Sequence, residues 1–251
     1  MSFYILLIDL YEAANLVVIL VLLFLVFQYL QSFWSHKISK PYAWETAIKE
    51  RTLSKELIKI EQKYRDKVRF YNFWFQIEQL KKNKIKGAFA ELGVHKGETA
   101  KAIHFMDPSR KIYLFDTFEG FSDKDLEHET QTDERFETDM FADTSLEEVK
   151  KYIKGNEQLI FKSGFFPATS KGLENETFAF VNVDADLYAP TIDALKFFYP
   201  RLSKGGVIII HDYNHNWDGI PKAIHEFMST IPESLIEIPD WQGSAMIIKN
   251  S

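Results

Sequence analysis

Apolar residues follow three regimes along this chain. Residues 13–35, AANLVVILVLLFLVFQYLQSFWS, contain no charged side chain. Roughly 20 mostly apolar residues are enough to cross a bilayer as a helix. Tyr29, Phe33 and Trp34 gather at one end of the run, as interfacial aromatics do. Next, apolar residues recur at Ile48, Leu57, Ile60, Tyr64, Val68, Tyr71 and Phe75, with Lys and Arg between them. That spacing is helical. From about residue 86 the period shortens, and apolar runs alternate with amphipathic stretches. Strands are predicted over 87–94, 111–116, 158–162, 178–184, 207–211, 235–238 and 245–249. Helices are predicted over 98–106, from 145, over 167–173, 191–202 and 220–229, and a turn at 204–206. Such alternation predicts an α/β fold, a mostly parallel seven-stranded sheet with helices on both faces. The last two strands, joined by a turn near Asp240, bring in one antiparallel member. The chain divides accordingly into an N-terminal membrane anchor (1–35), a basic amphipathic helical linker or arm (36–85) and an α/β domain (86–251).

Composition sharpens this division. The 251 residues include no cysteine, which excludes disulfides, thiolate metal sites and a cysteine nucleophile. The net charge of −6 is segregated. Residues 119–148 hold twelve acids against two bases, a local −10, whereas residues 36–86 hold fourteen Lys and Arg against six acids, a local +8. The basic zone directly follows the apolar run, and Asp9 and Glu12 precede it. The positive-inside rule then reads a single-pass membrane protein with its α/β domain in the cytoplasm. The start lacks the positive n-region of a cleaved signal peptide. A buried or oligomerisation helix is the alternative for the run, so a homo-oligomer stays open. The arm is read as packed on the α/β domain or as lying on an anionic leaflet. Nothing in the charge pattern suggests a nucleic-acid partner.

The chemistry gathers where strands end. Residues 181–186 read VNVDAD, and 207–213 read VIIIHDY. In parallel sheets the ligand site lies outside the carboxyl ends of the strands. Asp184, Asp186, His211 and Asp212 therefore arrive at the functional edge. Upstream, Glu91-Leu92-Gly93-Val94-His95-Lys96-Gly97 leaves a strand and opens a helix. Gly93 lets the backbone approach a ligand, and Gly97 frees the helix start. Neither a GxGxxG fingerprint nor a P-loop is present. Asp116 closes the second strand, where an acid can accept ribose hydroxyls. A glycine-bearing first loop, an acid after the second strand and no phosphate cradle point to S-adenosylmethionine. Asp186 is read as a cap for the following helix. His95 is expected at the surface and His104 packed. The long acidic stretch after Glu119 is read as a lid over the acceptor or as a solvated loop. Trp217 and Trp241 are read as sugar-stacking platforms or as core.

The motifs AELGVHKGETA, YLFDTFEGF, FADTSLEEV, FKSGFFPAT, VDADLYAPTIDAL and GGVIIIHDY give residues 88–250 a resemblance to the macrocin O-methyltransferase (TylF-like) family, class I S-adenosylmethionine-dependent methyltransferases with a Rossmann-like sheet. The resemblance implies cofactor contacts at Glu91, Gly93 and Asp116, with Asp143 and Ser163 near the adenine. It also implies a divalent cation, Mg²⁺ or Mn²⁺, at Asp184, His211 and Asp212. His211 departs from the family's acid pair, and imidazole suits Mg²⁺ poorly. Asp184, His211 or His215 is expected to take the acceptor's proton. The expected activity is methylation of a hydroxyl on a sugar, glycan or lipid-linked intermediate at the membrane. A phenolic or macrolide-like alcohol is the alternative acceptor, and a non-catalytic membrane scaffold the alternative function.

Overall fold

The computed structural model describes residues 2–34, 40–121, 126, 137–215 and 218–250. It divides into two compact units, Met1–Leu53 and Ser54–Ser251. The first contains α1 (Ser2–Trp34) and α2 (Tyr42–Lys49). Within α1, Leu10–Ser32 is long and apolar enough to cross a membrane, and none of it is buried. The side chains of Phe33 and Trp34, and residue Lys37, lie outside the described residues.

The second unit is the α/β fold. Seven strands, β1 (Ala88–Leu92), β2 (Ile112–Asp116), β3 (Leu159–Ser163), β4 (Phe178–Val183), β5 (Leu202–Ile210), β6 (Ile236–Ile238) and β7 (Ser244–Ile248), lie in the order β3-β2-β1-β4-β5-β7-β6. β1 pairs in parallel with β2 and β4, and β7 runs antiparallel to both its neighbours. β1 and β4 are buried along their whole length, as continuous apolar runs require. The strand order reverses between β1 and β4, which opens a crevice at their C-terminal ends. Helices are α3 (Lys55–Lys63), α4 (Lys67–Lys82), α5 (Glu98–Met106), α6 (Leu146–Ile153), α7 (Tyr188–Arg201) and α8 (Gly219–Met228).

Local signals explain most boundaries. Ser145 caps α6 by accepting the Glu148 N–H, and its hydroxyl donates back to the Glu148 carboxylate at 2.8 Å. Ser54 and Asp66 cap α3 and α4 in the same way. Three expectations shift. The arm expected over 36–85 is three helices, of which α2 belongs to the first unit and α3 and α4 to the unit that holds the sheet. The turn expected at 204–206 lies inside β5, where the pairing with β4 changes register. The helix expected over 167–173 is a single 3₁₀ turn, Ala168–Ser170. The sheet's lower core is aromatic: Phe178 and Phe198 meet edge to face at 5.0 Å, with Phe115 and Phe166 packed beside Phe198.

Candidate active site

The site begins where β1 and β4 separate. Gly93 has φ +85°, and a Cβ there would lie 1.7 Å from the Asp184 carbonyl oxygen. Only glycine permits this approach. The backbone bond from Asp184 N–H to Leu92 carbonyl, 2.8 Å, holds the two chains together just before they part. The loop that follows is organised by Asp116. Its carboxylate accepts backbone N–H groups of Val94 (2.7 Å), His95 (2.8 Å) and Phe118 (2.6 Å). A carboxylate has about four acceptor positions, so one is left for a ligand. Gly97, at φ +82°, precedes α5; a Cβ there would press on Val149 and Ile153.

A cavity of about 460 Å³ lies outside the strand ends. Gly93, Gly97 and Asp116 line it on one side, and Asp184, Asp186 and Asp212 on another. Phe121, Phe141, Phe165 and Phe166 supply apolar wall. Its size suits a small-molecule site. Glu91, Asp143, Ser163, His211 and His215 are not among its lining residues. Ser163 ends β3 opposite Asp116, and its neighbour Gly164 reaches the cavity. Asp143 is exposed and held by His95 at 2.7 Å and by Lys96; these hydrogen bonds lower its pKa to about 2. His215 donates its backbone N–H to the Asp212 carbonyl at 3.2 Å.

Three carboxylates share the far wall. Oxygens of Asp184, Asp186 and Asp212 lie within 4.8 Å of one another. Asp186 and Asp212 both adopt φ +59°, a left-handed conformation costly outside glycine. Burial, then repulsion from Asp212, raises Asp184 to about 7, against the pull of Arg69. Burial and both neighbouring acids push Asp186 well up. Its hydrogen bond with Asp212 favours the proton on Asp186 and the charge on Asp212. Asp212 Oδ1 is buried without a hydrogen-bond partner among the described residues. An orphan oxygen amid crowded acids is the environment a hard divalent cation satisfies, and an all-oxygen donor set fits Mg²⁺ or Mn²⁺.

His211 takes no part in this set, contrary to the sequence-based expectation. It is buried beneath the sheet's edge, with Nε2 on Asn182 (2.8 Å), Nδ1 on Ser244 (2.9 Å) and its ring against Phe73. Both nitrogens are occupied, and burial holds the imidazole neutral. β5 ends at Ile210; His211 turns inward, and the left-handed backbone at Asp212 brings that residue to the cavity. The third acid is Asp186, expected to cap the following helix; the cap position of α7 is instead Leu187.

Asn182 also links His211 to Glu91, at 3.0 Å. Glu91 is buried, its Oε2 meets no partner among the described residues, and burial with repulsion from Asp184 raises its pKa well above the carboxylate range. A carboxyl whose folded pKa is raised contributes stability that is complete below its unfolded value and is lost as pH rises toward the folded one. Glu91→Gln keeps the hydrogen bond without a titrating proton. The variant is therefore expected to gain on the parent protein between pH 5 and pH 8 in urea unfolding. An equal pH slope for both would refute a protonated Glu91.

The sequence reading missed a second group. Arg69, from the N-terminal turn of α4, donates to Asp240 at 3.1 Å and toward Gln242 at 3.4 Å. Asp240 also accepts the Ser244 N–H and hydroxyl, both at 2.6 Å. Gln242 lines the cavity. Tyr64 bonds Thr99, another lining residue, at 2.9 Å. The signal was a charge on a buried stripe: Arg69 lies one turn before Phe73, on the face that continues through Ile77 and Leu80. Trp241 is 89% exposed, which removes the core reading. Trp217 and most of the acidic stretch, 122–125 and 127–136, lie outside the described residues.

Comparison with known proteins gives one family. The macrocin O-methyltransferase (TylF) profile matches residues 25–247, starting well upstream of residue 88. The 8-demethyl-8-(2,3-dimethoxy-alpha-L-rhamnosyl)-tetracenomycin-C 4'-O-methyltransferase of Streptomyces olivaceus is 29% identical over 170 residues, 63% of this chain and 64% of that protein. The mycinamicin III 3''-O-methyltransferase of Micromonospora griseorubida is 30% identical over 195 residues, 70% of this chain and 74% of that protein. The match thus spans just under two thirds of the first relative's length. Among solved structures, the O-methyltransferase NovP superposes with a TM-score of 0.64 at 24% identity, covering 74% of this chain and 81% of NovP. The calicheamicin methyltransferase CalS11 gives 0.58 at 18%, covering 87% and 90%. These two likenesses show the Rossmann-like methyltransferase fold.

Proposed function

Because the chain belongs to the macrocin O-methyltransferase family, we propose that it transfers a methyl group from S-adenosylmethionine to a hydroxyl of a sugar-containing acceptor. One observation carries the reading: a single cavity joins the glycine loop held by Asp116 to the three carboxylates of β4 and β5. When bound, S-adenosylmethionine supplies a methyl already activated on sulfur. In this reading Gly93 and Gly97 give it backbone access, Asp116 offers its remaining acceptor position, and Asp143 and Ser163 stand at the rim. Glu91 supports that loop from below.

The residues must then orient an alcohol, exclude water and receive its proton. Phe141, Phe165 and Phe166 narrow solvent access to the cavity. Asp184, Asp186 and Asp212 would hold a divalent cation, whose chemistry is to stabilise a forming alkoxide. Asp184, raised to about 7, is poised to take a proton near neutrality. His215, beside Asp212, is the second candidate. Asp186 would supply a third oxygen donor in place of His211, which supports a catalytic reading over a non-catalytic scaffold.

The apolar helix and the basic segment after it support a single-pass tether with the α/β domain on the cytoplasmic face. Lipid-linked sugars are then the acceptors within reach. The test incubates the purified full chain with labelled S-adenosylmethionine and a membrane glycolipid extract, after chelation and with Mg²⁺ or Mn²⁺ restored. Label in one lipid-linked sugar, lost on chelation and regained with the cation, is the expected result. Intact S-adenosylhomocysteine binding without any transfer would favour the scaffold.

A further inference from the structure

The β6–β7 turn carries a residue that the proposed chemistry does not use. Trp241 is the most exposed large apolar side chain of the α/β unit among the described residues. Its backbone is anything but free. The Trp241 N–H donates to the Asp66 carboxylate at 2.8 Å, from the cap of α4. On one side Asp240 is buried and held by Arg69 and Ser244. On the other, Gly243 donates to the Asp240 carbonyl at 3.1 Å and accepts from the Asn214 N–H at 3.2 Å. Gly243 has φ +70°, and a Cβ there would strike Asn214 at 2.5 Å. The turn is thus clamped from two elements distant in sequence, and the clamp holds an indole in water.

The exposed indole is apolar surface available to a ligand, which gains free energy by covering it. The backbone bonds on either side fix where the Trp241 side chain leaves the turn. A preset flat apolar face loses little entropy on binding, since only two side-chain torsions are involved. The next residue, Gln242, lines the cavity that Asp184 and Asp212 also line. Its Oε1 faces Arg69, which leaves its amide N–H groups as donors. An apolar platform beside a donor and carboxylates matches a molecule with one apolar face and a hydroxyl-bearing edge. A pyranose ring has that form: axial C–H groups on a face, hydroxyls around the rim.

We propose that Trp241 is the acceptor platform, stacking on the C–H face of the sugar while Gln242 hydrogen-bonds a ring hydroxyl. This rests on the sugar methyltransferase reading and deepens it. The role is acceptor affinity, separate from the methyl donor.

The test is saturation-transfer NMR on the detergent-solubilised full chain loaded with S-adenosylhomocysteine, using methyl α-L-rhamnopyranoside and catechol as probes. The rhamnoside's ring C–H signals are expected to saturate with the parent protein, to fall by about ten-fold in Trp241→Ala and to persist in Trp241→Tyr. Calorimetry should give the same S-adenosylhomocysteine affinity for all three. In turnover, Trp241→Ala should raise KM for the glycolipid acceptor about ten-fold with kcat nearly unchanged. Equal saturation in Trp241→Ala, or saturation of catechol but not of the rhamnoside, would overturn the platform while leaving the methyltransferase intact. A parallel loss of S-adenosylhomocysteine affinity in Trp241→Ala would mark a structural role and overturn it too. Failure of the parent protein to bind S-adenosylhomocysteine would refute the enzyme reading itself, and the platform with it.

Discussion

Methyl transfer by Asp184→Asn is expected to fall by about 10²–10⁴-fold, the range that removal of a positioned acid–base group gives, with S-adenosylhomocysteine binding retained. Asp184 is where the arguments converge. It follows the last residue of β4, its carbonyl closes against Gly93, and its carboxylate belongs to the acid cluster facing the cavity. Asparagine preserves size and removes the charge that would bind a cation or take a proton. Single-turnover label transfer separates this loss from weaker substrate binding. Asp186→Asn should raise the Mg²⁺ concentration needed for half-maximal transfer, whereas His211→Asn should alter stability and leave that requirement in place. Because burial raises all three acids, a cation must displace protons, and its affinity is expected to climb as pH rises through about 7. Undiminished turnover by Asp184→Asn would sink the assignment.

Arg69→Leu should produce the largest loss of stability. The Arg69 and Asp240 side chains are 12% and 1% exposed, so their ion pair is largely out of water. Removing one partner of such a pair leaves a buried, uncompensated charge, at a cost of roughly 3–5 kcal/mol. For a unit of this size that corresponds to a fall in Tm of roughly 6–20 °C. Asp240→Leu should cost a similar amount. The double variant should lose much less than the sum, since apolar replacement of both partners removes the stranded charge. Thermal unfolding of the four proteins measures the coupling. If Arg69→Leu unfolds within about 1 kcal/mol of the parent, the pair is not buried in the way described.

Much of this was readable in the chain. β2 is an apolar run closed by Asp116, and β1 and β4 are apolar apart from Glu91 and Asn182, which bond each other in the interior, because a strand buried on both faces favours apolar residues throughout. The α5 boundaries match those predicted, since Gly97 and Glu98 mark the start and Asp107-Pro108 the end. The turn expected at Lys204-Gly205-Gly206 failed for an identifiable reason. Two adjacent glycines signal a turn locally, yet β5 carries them through a shift of register against β4.

The active-site reading divided in the same way. Gly93, Gly97, Asp116, Asp184 and Asp212 all reach the cavity, as their places at strand ends implied. His211 does not, because the chain leaves β5 at Ile210 and turns left-handed at Asp212, so strand alternation no longer tells which side chain faces the cavity. Asp186 entered the acid cluster through a left-handed backbone that no residue type at that position announces. Arg69 meets Asp240 across 171 positions of sequence, a separation that no periodicity reveals.

Local rules therefore settled which elements form, in what alternation, and at which edge the reactive residues emerge. They depend on burial period and turn chemistry, which a linear pattern records. Packing alone settled which acids stand together, that the imidazole turns inward, and that α4 reaches over to clamp the turn bearing Trp241. Those outcomes depend on the distance between side chains remote in sequence, and distance arises only when the chain has closed on itself.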